Sequence, residues 1–204
     1  MTVPASATGS ATAMGRWEHF ALRWRAKLLL TLGMRSAAVD LFRQILTQLP
    51  DDVHALNSLA YDALQTGHPA QALPYFDRVA QLSPELSNAH FNLAFVSEAL
   101  GHLEQAEREF RAAIAIEDKM DRAWYGLGLV LVRLGRLEEA LVALKRNTSL
   151  QPMSPHGWYQ MVRIHVDLKR PDEAVKLIHH LKGFEPKVAA QLERETGLRA
   201  GQGV

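Results

Sequence analysis

The chain has no cysteine among its 204 residues, which removes disulfides, thiolate zinc centres, iron–sulfur clusters and cysteine nucleophiles together. Nor does it have a stretch approaching the roughly 20 consecutive apolar residues that a membrane span needs. Its first twenty residues, MTVPASATGSATAMGRWEHF, lack the basic cluster followed by an apolar run that marks a signal peptide. The phosphate-cradling patterns G-x-G-x-x-G and G-x-x-x-x-G-K-[ST] and the nucleophile elbow G-x-S-x-G are all missing. None of the nine histidines stands four residues from another, and His179 and His180 are adjacent, so on a helix they diverge. No catalytic residue, metal site or cofactor is expected, and the chain reads as a non-enzyme. A large charge of one sign is also missing, since the net charge is +1. A polyanion binder is therefore disfavoured, and no nucleic-acid partner is expected. A cytoplasmic location is the default expectation, with residues 1–15, rich in Ser, Thr, Ala and Gly, forming a disordered leader.

What is present is a period. Pro50, Pro84, Pro152 and Pro186 are separated by multiples of 34 residues, and Gly33, Gly67, Gly101 and Gly135 keep the same register, as do Ala38, Ala72, Ala106, Ala140 and Ala174. Within one period, Leu93 and Ala94, then Ala106, Phe110 and Ala113, recur at helical offsets. Each period thus predicts two amphipathic helices, with the glycine as a left-handed stop between them and the proline ending the second. Small residues Ala26, Ala60, Ala94 and Gly128 permit close approach of the two helices. Phe42, Phe76, Phe110 and Leu144 fill the space toward the next pair.

With Trp124, Leu127, Gly128, Gly135, Ala140, Leu144 and Pro152 in the unit 121–152, the sequence resembles the tetratricopeptide repeats. Five gapless units begin near His19, Val53, Ser87, Asp121 and Pro155. The resemblance implies an all-α, right-handed superhelical solenoid of five antiparallel helix pairs over 16–186. A C-terminal capping helix over 187–197 and a flexible tail over 198–204 complete the expected organisation. Three departures from the pattern carry expectations. Asp118 in the proline slot predicts a longer or more continuous helix at that junction. Lys169 in the glycine slot costs about 1 kcal/mol if a positive φ is needed. Asn147, where the family prefers Ala, needs a hydrogen-bond partner if buried. Arg25, where the other units have Leu or Met, predicts that the first unit's outer side is uncovered.

In this family the first helices line a concave ligand groove, and the resemblance transfers that role position by position. It gives Asn57 and Tyr61, then Asn88, Phe91, Asn92 and Phe95, then Arg122, Tyr125 and Leu129, then Tyr159 and Arg163. Aromatics with interleaved Asn and Arg are the usual make-up of an interface core. Of the five positions that clamp a chaperone-tail carboxylate in some members, Asn92 matches, Arg122 matches in charge, and Asn57, Tyr61 and Gly126 do not.

The expected function is a protein–protein interaction module or adaptor that binds a peptide segment or helix of a partner protein. An alternative is a self-assembling bacterial scaffold. Residues 1–50 carry an excess of four basic charges and residues 51–118 an excess of eight acidic ones, so copies would meet head to tail. Another is a non-catalytic subunit of a larger assembly or transferase complex. The basic N-terminal segment, in which Arg16, Arg23, Arg25 and Lys27 accompany Trp17, Phe20 and Trp24, offers Arg23 and Lys27 as a contact surface. The same segment has the composition of a helix lying on a membrane surface, although a solvated first helix is the favoured reading.

Overall fold

The computed structural model describes residues 16–201, and the expected leader lies outside them. The described chain is all-α, a helix-pair solenoid with a trailing capping helix. Its compact units divide between Leu82 and Ser83. The first unit holds α1 (Arg16–Thr31), α2 (Arg35–Gln48), α3 (Val53–Gln65) and α4 (Pro69–Leu82). The second holds α5 (Ser87–Ala99), α6 (Leu103–Ile116), α7 (Asp121–Arg133), α8 (Leu137–Leu150), α9 (Pro155–Asp167), α10 (Pro171–Lys182) and α11 (Pro186–Thr196).

The periodic residues sit where their chemistry demands. Ala38, Ala72, Ala106, Ala140 and Ala174 are fully buried, and Phe42, Phe76, Phe110 and Leu144 are among the largest buried side chains. Gly135, with φ of 75°, ends α7 in the left-handed region that side chains with a Cβ avoid. In the fifth unit Lys169 takes that conformation with φ of 59°, so the strain anticipated from its sequence position is present. Asn147 is buried and its amide donates to the Asp121 carbonyl at 3.0 Å, tying α8 back to the start of α7.

The junction at Asp118 corrects the sequence-based expectation. The helix does not run on: α6 stops at Ile116 and α7 starts at Asp121, the same spacing as between α8 and α9. The turn is held by contacts that include one made at the proline-bearing junction too, the indole bond that Trp158 gives to the Pro152 carbonyl. Met120 is buried, the Trp124 indole donates to the Asp118 carbonyl at 2.8 Å, and the Asp118 carboxylate pairs with Arg146 at 3.2 Å.

The cap forms as its amphipathic pattern requires. Ala189 and Leu192 are buried with Val162, Ile178 and Leu181, and Gly197 closes α11 with φ of 71°. Packing continues beyond the helix. Ala200 is buried, its amide donates to Glu193 at 2.8 Å, and Lys182 pairs with the same carboxylate at 2.8 Å.

Candidate functional site

In the second unit α5, α7 and α9 present the residues that the repeat register assigns to ligand contact. Phe91 and Phe95, one helical turn apart on α5, stack with ring centroids 6.4 Å apart and planes at 21°. Phe95 is 49% exposed, whereas Phe91 is half-buried and meets the core residue Phe110 edge-on at 5.8 Å. The Arg122 guanidinium, from α7, lies 4.5 Å from the Phe91 ring centroid and donates to the Asn88 side-chain oxygen. Neither contact neutralises the guanidinium, and the cation–π geometry holds its charge at the margin of the aromatic wall. Arg133 donates to the Glu98 carboxylate at 2.5 Å and to the Glu98 carbonyl at 2.9 Å, a second bridge from α7 to α5.

The sequence assigns Phe91, Phe95 and Tyr125 alike to the ligand groove, and the structure separates them. Phe91 and Tyr125 both pack against the core cluster around Phe110, and only Phe95 projects. The cause is Gly126, on which the Phe110 ring lies: a Cβ there would come within 2.4 Å of Phe110 Cζ. Bulk from α6 occupies the slot that Gly126 vacates, and Phe91 packs against that bulk. Leu129 and Asn92 are half-buried. Tyr125 also reaches His156, with ring centroids 6.3 Å apart.

At the far end of this face the Tyr159 hydroxyl donates to Glu195 of α11 at 2.6 Å. That bond draws the Glu195 carboxyl below its ordinary range and pushes the Tyr159 hydroxyl up. Tyr159, Arg163, Asp167 and Glu195 border an open depression of about 470 Å³, with Arg163 exposed.

The first-unit candidates are more committed to their own fold. The Asn57 amide donates to the Val53 carbonyl at 3.0 Å within α3, and Tyr61 packs edge-on against Phe76 at 5.3 Å while 46% exposed. Arg23 is not an uncommitted basic contact. It bonds the buried Asp52 carboxylate, its Nε at 2.8 Å, and Asp52 also caps α3 by accepting from the Ala55 amide at 2.9 Å. Lys27 remains exposed, 5.7 Å from the Trp24 ring centroid.

A groove that the sequence reading missed runs between α8, α9 and α10, with a volume of about 670 Å³ and walls of Leu141, Trp158, Met161 and Leu177. Trp158 donates to the Pro152 carbonyl at 3.0 Å and lies 4.5 Å from the His180 ring. The pairing of Trp124 and Trp158 one period apart was its signal in the sequence. Burial pushes the imidazole of His165, which lines this groove, below its ordinary value. Among the described residues no group of three or more His, Asp or Glu side chains is placed to hold a metal ion.

Family models of the tetratricopeptide repeat match residues 24–87, 63–127 and 121–152. The structure is similar to that of MamA 41-end from Desulfovibrio magneticus RS-1, at 21% identity over 90% of this chain and 98% of that one, with a TM-score of 0.74. It is also similar to YrrB, described as a tetratricopeptide-repeat protein with an unusual peptide-binding site, at 16% identity over 85% and 90%, with a TM-score of 0.77. A third likeness is TTC0263 of Thermus thermophilus, at 24% identity over 88% and 97%, with a TM-score of 0.58. No curated protein matches the chain. With family models spanning residues 24–152 and helix pairs that repeat in the family's register on both sides of Leu82, the chain has the tetratricopeptide-repeat fold.

Proposed function

We propose that the chain is a non-enzymatic protein–protein interaction module, acting in the cytoplasm, that holds an extended segment of a partner protein against α5, α7 and α9. The observation that carries this reading is Phe95. It is a large aromatic at a ligand-contact position, about half exposed, and stacked on Phe91, whose other side is fixed by Phe110 and Arg122. An aromatic already held in one orientation loses little side-chain entropy on binding, which is the property of an interface anchor. Arg122 and Arg163 flank the wall with donors suited to backbone carbonyls or a carboxylate of the bound segment. YrrB, similar in fold, has a peptide-binding site by its description, which supports the same class of activity.

The test is capture of a partner by the intact chain, followed by titration calorimetry against the wild type and Phe95→Ala. A loss of about thirtyfold or more in affinity, with melting unchanged, is the expected result for an anchor worth about 2 kcal/mol. Unchanged affinity would move the ligand off this face.

The scaffold alternative rests on the uneven charge, and the structure supplies internal partners for much of it. Arg23 pairs with Asp52, Arg35 with Asp62 and Arg78 with Asp51, while Arg136 pairs with Glu107. Charges already matched within one chain contribute little attraction between chains. A non-catalytic subunit of a larger complex is compatible with the interaction-module reading, since it would use the same face.

A further inference from the structure

The exposed face of α1 is an apolar feature that the interaction reading leaves unused. Trp17, Phe20, Trp24 and Leu28 are 82%, 52%, 57% and 58% exposed. Their spacing puts them on one stripe, opposite the buried Ala26. The rings touch in series, Trp17 to Phe20 at 6.3 Å and Phe20 to Trp24 at 5.9 Å.

The repeat register says what this stripe is. Three periods on, Trp24 corresponds to Gly126, which lies directly on the Phe110 ring of the preceding pair. Leu28 corresponds to Val130 and Ile164, both buried. Ala21 corresponds to Gly157, where a Cβ would meet Asn147 and Thr148 of α8. In α7 and α9 the part of this face at the Ala21, Trp24 and Leu28 positions is therefore packed against the preceding second helix, while the Phe20 position is exposed there as well, at Arg122 and His156. In α1 the same face stands open, and it carries larger aromatic side chains than its covered counterparts.

Two observations favour one occupant. Arg25 and Lys27 are exposed and project on opposite flanks of the stripe, at about 100° per residue around the helix. The indoles of Trp124 and Trp158 donate to backbone carbonyls, whereas those of Trp17 and Trp24 make no hydrogen bond among the described residues. A second copy packed parallel on this stripe would set Arg25 of one chain beside Lys27 of the other, which is repulsive, and an antiparallel copy is an outcome of the test below. An anionic lipid surface instead satisfies all the groups at once. The rings and Leu28 enter the headgroup boundary, the indole N–H groups find ester and phosphate acceptors, and both cations meet negative charge.

We propose that α1 is an interfacial helix that docks the chain peripherally on anionic phospholipid through Trp17, Phe20, Trp24 and Leu28, with Arg25 and Lys27 as its electrostatic contacts. This site is on a different helix and in a different unit from the peptide-binding face, so the two fail separately.

The experiment is co-sedimentation of the full chain with vesicles of phosphatidylcholine alone and with about 30% phosphatidylglycerol, at near-physiological salt. The wild type should bind the anionic vesicles and bind the neutral ones far more weakly. Arg25→Gln with Lys27→Gln should weaken binding about thirtyfold, from a surface contribution of about fivefold per cation. Trp17→Ser with Trp24→Ser should abolish it without lowering the melting temperature, because both side chains are exposed. The proposal is overturned by absent binding to anionic vesicles, or by equal binding to both compositions. It is also overturned if the tryptophan pair proves to hold a dimer by light scattering while leaving vesicle binding unchanged.

Discussion

Replacing Gly126 with Ala sets two well-characterised effects against each other. At an open position inside a helix the change stabilises by about 1 kcal/mol, because glycine has more backbone freedom to lose. At Gly126 the new methyl would lie 2.4, 2.6 and 2.9 Å from Phe110 Cζ, Cε1 and Cε2. Those separations lie far inside van der Waals contact, and Phe110 is 2% exposed in the core cluster, with Phe91 against its ring. The ring cannot simply swing away, so α7 must move off α6 or Phe110 must press on Phe91. Overpacking of this kind costs about 1–3 kcal/mol. Set against the gain, the net expectation is a destabilisation of about 1 kcal/mol, or roughly 2–4 °C in melting temperature for a chain of this size. Urea unfolding followed by far-UV circular dichroism measures it. A variant as stable as the wild type, or more stable, would refute the claim that Gly126 exists to admit Phe110. The same displacement would disturb the stacked pair that fixes Phe95, so partner affinity should fall as well.

Lys169→Gly should stabilise by about 1 kcal/mol in the same assay, since it relieves a positive φ at a slot where the other units carry glycine. Leu192→Ala should cost about 3 kcal/mol by opening a cavity between the cap and α10, and removal of everything after Gly183 should cause aggregation, because the apolar face beneath α11 is then exposed. Acid should weaken the cap. The hydrogen bond from Lys182 holds Glu193 below the ordinary carboxylate range, and the hydrogen bond from Tyr159 does so for Glu195. Their contribution is therefore complete above the unfolded carboxylate value of about 4.3 and is lost as pH falls through the depressed folded values. Melting curves of the wild type between neutral pH and pH 3 should accordingly fall more steeply than those of the double variant Glu193→Gln, Glu195→Gln. Phe91→Ala should destabilise clearly more than Phe95→Ala, because the first packs on Phe110 and the second projects.

The backbone plan was legible because it is written in conformational requirements that recur. A left-handed glycine, an alanine with no room beside it and a large apolar residue four positions later can be read without coordinates. Asp118 was misread because losing the proline does not by itself lengthen a helix: the buried Met120 and the Trp124 indole fix this turn as Trp158 fixes the one at Pro152. The aromatic wall was legible as a set of positions but not as a ranking. Whether Phe91 or Phe95 is exposed depends on the gap at Gly126, a relation between two helix pairs and not a property of either residue. Arg23 shows the same limit. Its charge is evident in the sequence, but its pairing with the α3 cap at Asp52 is a tertiary fact.

The most direct test of the interaction reading is paired calorimetry and melting on the double variant Phe95→Ala, Arg122→Ala, measured against the captured partner segment. Phe95 supplies the exposed ring and Arg122 the margin cation, and neither is buried. Affinity is expected to fall by about a hundredfold or more, the sum of an aromatic and a charged anchor, while melting changes by only a few degrees. Retention of full affinity by a folded double variant would contradict the account.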